Sequence, residues 1–91
     1  MLRIITEQRG NTLFLDLHGT VAGEGVTILE RHWRGIVEKV PSAAVSVGLA
    51  NVVFIDADGE RLLRSMSQSG VELDAAGCMN RYVIERIVAG G

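Results

Sequence analysis

The feature that most constrains the fold is the change in the spacing of apolar residues along the chain. In residues 12–19 leucines alternate with other side chains, which is typical of a β-strand with one buried face. From Glu24 to Val40 apolar residues recur at intervals of three and four, which is typical of an amphipathic helix. The two patterns continue to alternate as far as Val88 and predict an α/β fold of order ββαβαβα.

The first two strands are predicted to form a hairpin. Residues 2–8 and 12–19 flank Arg9-Gly10-Asn11, a short turn sequence of the kind that joins antiparallel strands. The later elements are predicted as a helix over 24–40, strand residues within 45–55, a helix ending before Gly70, a strand over 71–75 and a helix over 79–88.

The order of the elements also predicts the form of the sheet. Strands separated by helices imply parallel neighbours joined by right-handed crossovers, whereas the hairpin is antiparallel, so we expect a mixed sheet. We expect the helices on one face of the sheet, which leaves the other face open and makes a homodimer one expectation. The chain has 91 residues, too few for two independent cores, so residues 1–91 are predicted to form a single domain.

Apolar periodicity predicts which side chains are buried. The residues expected to face the core are Leu13, Leu15 and Leu17 in the second strand, Val26, Leu29, Trp33, Ile36, Val37 and Val40 in the first helix, and Leu62, Leu63 and Met66 in the second helix. Arg61 and Arg64 are expected on the outer face of the second helix.

Charge and cysteine content narrow the function classes. The chain has 9 basic and 11 acidic residues, and the basic residues are scattered, whereas nucleic-acid binding requires a dense basic surface. No apolar stretch approaches the roughly 20 residues that cross a bilayer, so no membrane insertion is expected. The single cysteine, Cys78, fits a reducing compartment, and we expect a cytoplasmic protein.

No pattern indicates catalysis or a cofactor. His18 and His32 have no cysteine or histidine at the spacing of zinc ligands, and Cys78 has no histidine nearby in sequence. Asp56, Asp58 and Glu60 resemble the start of a calcium loop, but no downstream glutamate completes it. We therefore expect a protein that is not an enzyme and that carries no metal and no cofactor.

The acidic segment between the third strand and the second helix allows two interpretations. A carboxylate at the start of a helix caps free backbone N–H groups, and this interpretation is favoured for Asp56. Asp58 either contributes to the same helix start or provides a fixed negative charge for a partner. Both interpretations of Asp58 remain open at this stage.

Several segments taken together resemble a known family. They are Leu17-His18-Gly19, Val45-Ser46-Val47-Gly48-Leu49, Asn51-Val52, Phe54-Ile55-Asp56-Ala57-Asp58-Gly59, the Leu62-Leu63 helix and Ser69-Gly70-Val71-Glu72-Leu73. In this order and spacing they resemble the STAS domain, named for sulfate transporters and anti-sigma-factor antagonists. The resemblance extends over nearly the whole chain.

The resemblance implies a protein-binding switch in bacterial signalling. In many members a kinase-like anti-sigma factor phosphorylates the serine or threonine that follows the aspartate corresponding to Asp56. That position is Ala57 in this chain, which has no hydroxyl group and cannot be phosphorylated. Asp58 and Gly48 also depart from the family pattern, and the family's last strand and helix are expected to be absent after the third helix.

We therefore expect a non-catalytic regulatory module that is not switched at Ala57. Its partner is expected to be a kinase-like anti-sigma factor or another signalling protein. The expected binding residues are Asp56, Ala57, Asp58, Gly59 and Glu60. The alternative is a sensor domain for a small ligand, either a nucleotide or a lipid.

Overall fold

A computed structural model describes residues 1–78 and 81–90 of the chain. The elements are β1 (Leu2–Arg9), β2 (Thr12–Val21), α1 (Glu24–Lys39), β3 (Ala44–Ile55), α2 (Ala57–Gln68), β4 (Glu72–Asp74) and α3 (Arg81–Gly90). The predicted order ββαβαβα is confirmed. The first two residues of the predicted third helix, Met79 and Asn80, lie outside the described residues.

The sheet is mixed, as the sequence predicts. Its four strands lie in the order β1-β2-β3-β4, with β1 antiparallel to β2 and the other neighbouring pairs parallel. Gly10 forms the β1–β2 turn with φ 58°, a left-handed conformation that glycine adopts without a steric cost. Strand β4 is shorter than expected, because it pairs only with residues 46–48 of β3.

The core lies on one face of the sheet, under all three helices. Its fully buried side chains include Leu15 and Leu17 from β2, Val47 and Leu49 from β3, Leu29 from α1, Leu63 and Met66 from α2, and Ile84 and Ile87 from α3. The opposite face carries mainly polar side chains, among them Arg3, Glu7, Asp16, His18, Glu72 and Asp74. Leu13, expected to face the core, is only half-buried.

The prediction that the six apolar residues named for the first helix face the core is wrong at the C-terminal end of the helix. Leu29 is buried, and Val26, Trp33 and Ile36 are half-buried against the core. Val37 and Val40 are exposed, because the last turn of α1 borders an open cleft instead of the sheet.

No helix within residues 1–78 and 81–90 is long and apolar enough to cross a membrane.

Candidate functional site

The turn between β3 and α2 is fixed by Asp56. This residue is extended (φ −86°, ψ −179°) and occupies the N-cap position of α2. Its Oδ1 accepts a hydrogen bond of 2.7 Å from the backbone N–H of Gly59, one of the groups that a helix start leaves without a partner. The predicted capping role of Asp56 is therefore confirmed.

The same carboxylate also holds a second loop. Oδ2 of Asp56 accepts a hydrogen bond of 3.0 Å from the backbone N–H of Gly23, which precedes α1. The N–H groups of Gly59 and Gly23 keep the pKa of Asp56 below its usual value, because they stabilise the ionised carboxylate. Asp56 thus joins the starts of α1 and α2.

Gly59 brings the first turn of α2 close to β2. It is buried, and a methyl group at its Cα would overlap the backbone carbonyl oxygen of Val21. The same carbonyl accepts a hydrogen bond of 3.2 Å from the backbone N–H of Asp56. Only a residue without a side chain lets the helix start at this distance from the strand.

Glu60 connects α2 to α3. Its carboxylate accepts hydrogen bonds from Arg86 at 2.9 Å and from Arg64 at 3.3 Å. Both guanidinium groups lower the pKa of Glu60 because they stabilise its ionised carboxylate, and Arg86 has the larger effect. Glu60 therefore contributes to the packing of the helices and is only partly available to a partner.

Ala57 and Asp58 are the exposed members of the predicted set. The Asp58 side chain is 67% exposed and forms an ion pair with Arg61, one turn further along α2. The structure thus separates the five predicted residues into three with structural contacts and two that face outward. We call Ala57 and Asp58 the α2 start surface.

A groove between α1 and α2 adjoins the α2 start surface. Polar side chains line it from both helices, namely Thr27 and Glu30 of α1 and Asp58, Arg61 and Ser65 of α2. Sequence patterns place these residues on polar helix faces but do not show that the two faces adjoin. We call this feature the α1–α2 groove.

A second concavity lies at the other end of α1. This cleft of about 480 Å³ is lined mainly by apolar side chains, including Trp33, Val37, Val40, Val45 and Val71. Periodicity identified the α1 members of this set but assigned them to the core, because it records which side of a helix is apolar and not what covers it. We call this feature the Trp33 cleft.

The residues considered for metal or nucleophilic chemistry are dispersed. The His18 ring lies 3.0 Å from an Asp16 carboxylate oxygen on the open face of the sheet, and the His32 ring lies 3.1 Å from the Thr6 hydroxyl. Cys78 is buried. Within the described ranges, no three His, Cys, Asp or Glu side chains are grouped closely enough to hold a metal ion.

Comparison with solved structures identifies a similar fold in a longer chain. The protein, described as "Crystal Structure Analysis of Mglu", matches with a TM-score of 0.60 and 26% sequence identity. The match covers 77% of this chain and 18% of that chain, so this chain spans less than one fifth of the length of that structural neighbour. No family model and no curated protein matches the sequence.

Proposed function

We propose that the chain is a STAS-type regulatory module that binds a protein partner through the α2 start surface and the adjoining α1–α2 groove. The observation that carries the proposal is that Asp56 fixes the loop from both sides while Asp58 remains exposed. The resemblance of the segments around Asp56 to the STAS family also supports it. In this proposal the module is cytoplasmic and has no catalytic activity of its own.

The geometry favours recognition at low entropic cost. A surface that is already held in place loses little conformational freedom when a partner binds. The exposed charges of Asp58 and Arg61 and the half-buried Glu30 provide a pattern of both signs, which favours a specific partner over an unspecific one. The partner proposed is a kinase-like anti-sigma factor or another signalling protein.

The exposed methyl group of Ala57 implies constitutive binding. A hydroxyl at this position would be accessible to a kinase, but Ala57 offers no acceptor oxygen. The neighbouring Asp58 carboxylate carries a permanent charge, with fewer acceptor oxygens than a phosphate. We propose that the module stays in one binding state, or that it is regulated elsewhere.

The test compares proteins captured from a lysate of the source organism by three baits. They are the wild-type chain, Asp58→Arg in the α2 start surface, and Glu72→Arg on the opposite face of the sheet. The two variants change the net charge equally. Circular dichroism and thermal unfolding establish that each bait is folded, because a basic residue near a helix N-terminus lowers stability somewhat.

We expect a protein that the wild-type and Glu72→Arg baits retain and that the folded Asp58→Arg bait loses. A protein retained equally by all three would contradict the site. The absence of any protein retained by the wild-type bait would contradict the function.

The Trp33 cleft favours a second candidate, the small-ligand sensor. Its size and apolar lining are typical of sites that bury a lipid or another largely apolar molecule. Trp33 is the only tryptophan of the chain, so its fluorescence reports directly on the cleft. If this candidate is correct, titration with a fatty acid changes the Trp33 emission and raises the Tm of the protein. Val37 is exposed in the cleft, so the Val37→Arg variant is expected to show neither change. Unchanged emission and Tm with fatty acids and with nucleotides would reject it.

A further inference from the structure

Strand β1 forms an uncovered edge of the sheet. Within the described residues it pairs only with β2. The backbone N–H of Thr20 donates to the carbonyl of Met1 at 3.3 Å, so the odd-numbered residues of β1 direct their backbone groups towards β2. The N–H and C=O groups of the even-numbered residues from Leu2 to Gln8 therefore point outward. An edge of this kind can pair with a further strand.

The side chains beside this edge form a self-complementary series. Arg3, Ile5 and Glu7 are alternate residues of β1, so their side chains lie side by side on the open face of the sheet. Ile5 is 42% exposed and lies between the charged residues Arg3 and Glu7 on this face. Glu7 forms an ion pair with Arg9 at 2.8 Å, and Arg3 takes part in no ion pair among residues 1–78 and 81–90.

We propose that two copies of this chain pair through β1 in an antiparallel arrangement, with a two-fold axis that passes between their Ile5 residues. In this register Arg3 of each copy lies opposite Glu7 of the other, and the two Ile5 side chains lie opposite each other. Opposite charges and apolar pairs at such cross-strand positions stabilise a sheet. The two four-stranded sheets become one continuous sheet of eight strands.

The hydrogen-bonding pattern of the edge fits the same register. Even-numbered residues pair with even-numbered residues of the other copy, so every outward backbone group of one strand faces one of the other. Arg3, Ile5 and Glu7 then occupy the positions between the hydrogen-bonded pairs, where opposing side chains approach most closely. The nearest alternative registers that still pair even-numbered residues with even-numbered residues differ by a shift of two residues. They place Arg3 opposite either Arg9 or Ile5 of the other copy, so both pairs of opposite charges are lost.

The helix-covered face provides a second contact beside the axis. Helix α1 lies alongside β1, since Gly25 packs on Leu2 and the His32 ring lies 3.1 Å from the Thr6 hydroxyl. Ile28 lies between Gly25 and His32 on the same side of α1 and is 45% exposed. An exposed isoleucine therefore lies on each face of the sheet beside this edge, Ile5 on the open face and Ile28 on the helix-covered face. Pairing of two copies through β1 brings both isoleucines of each copy towards the two-fold axis.

The first experiment is a charge exchange in the full chain. The dissociation constant of the dimer is measured by sedimentation equilibrium up to about 200 µM, a range suited to a small interface. Arg3→Glu and Glu7→Arg each place like charges opposite each other in two symmetric positions. We expect each to raise the dissociation constant about tenfold, and the double exchange to restore it to within about threefold of the wild type.

The second experiment tests the register by cross-linking. Residues opposite each other at these positions have Cα atoms about 4.5 Å apart, within the range of a disulfide. We expect Ile5→Cys to form a covalent dimer under mild oxidation. Arg3→Cys is the matched control, because each introduced thiol lies opposite Glu7 of the other copy and forms no such dimer.

Three results would overturn the proposal. They are a wild-type chain that remains monomeric over the whole concentration range, a dimer that the charge exchanges leave unchanged, and cross-linking of Arg3→Cys as efficient as that of Ile5→Cys. The last two would indicate that the copies, or an extended segment of another protein, dock elsewhere or in another register.

Discussion

Asp56 shows how a single carboxylate can organise two loops. One oxygen caps α2 through Gly59 and the other receives the N–H of Gly23, 33 residues away in sequence. The first contact follows from the preference for aspartate at a helix N-cap and is predictable from local sequence. The second depends on how the loops after two adjacent parallel strands are placed, so local sequence does not reveal it.

Two glycines within helices make opposite predictions at the residue scale. Replacing glycine by alanine in a helix ordinarily raises stability, because the unfolded chain loses conformational freedom. Gly35 in α1 has open space where a methyl group would be added, so Gly35→Ala is expected to stabilise the fold by about 0.5–1 kcal/mol. At Gly59 the methyl group would overlap the Val21 carbonyl, so Gly59→Ala is expected to destabilise it by about 1–3 kcal/mol.

Urea unfolding followed by circular dichroism measures both variants. Each serves as the control for the other, since the chemical change is identical and only the surroundings differ. A stabilising effect of Gly59→Ala would contradict the close approach of α2 to β2. The sequence alone gives the two glycines no such distinction, because both lie in helices with apolar and polar faces.

At the scale of elements, α1 shows where periodicity stops being informative. Its 16 residues extend over about 24 Å, and only part of that length lies on the sheet. Leu29 packs against the core, whereas Val37 and Val40 extend past it and line the Trp33 cleft. The apolar spacing is the same throughout the helix, so the sequence correctly predicts the helix and its apolar side. It does not predict the residue after which the apolar side of α1 is no longer packed against the sheet.

Strand β3 shows the corresponding effect in the sheet. It is one strand of 12 residues, and its pairing with β2 has two register shifts, near His18 and near Gly19. These irregularities break the strict alternation of inward and outward side chains, so that Val53 and Phe54 are both exposed although they are adjacent. The apolar run from Val52 to Ile55 predicts a strand, but periodicity alone does not reveal the bulges.

Part of the candidate site can be predicted from local sequence, whereas another part forms only when the helices pack together. Asp56 and Asp58 stand out in the sequence because they are charged residues at the start of a helix. The α1–α2 groove does not, since Glu30 and Arg61 come together only when parallel strands place two helices side by side. The sequence therefore predicts the α2 start surface and leaves its surroundings undetermined.

For the whole molecule, the lowered pKa of Asp56 makes the folding free energy dependent on pH. The pKa of its carboxyl is lower in the folded chain than in the unfolded chain, where a value near 3.9 applies. The ionised carboxylate therefore stabilises the fold fully above about pH 4. This contribution is lost as the pH falls through the folded pKa. Glu60 acts in the same direction, because Arg86 and Arg64 lower its pKa as well.

The Asp56→Asn variant removes the charge and one of the two acceptor oxygens, since the amide oxygen can accept only one of the two hydrogen bonds from Gly59 and Gly23. We expect the variant to have a Tm roughly 4 °C below the wild type at neutral pH. The difference is expected to shrink below about pH 4, as the wild-type carboxylate becomes protonated and loses its advantage over the amide. Glu72→Gln is the control, because it removes an exposed carboxylate that forms no ion pair within the described part of the chain. A Tm difference for Asp56→Asn that stays constant down to pH 2 would show that the stabilisation at Asp56 does not depend on its ionised form. The charge would then have no part in preorganising the surface proposed at Asp58.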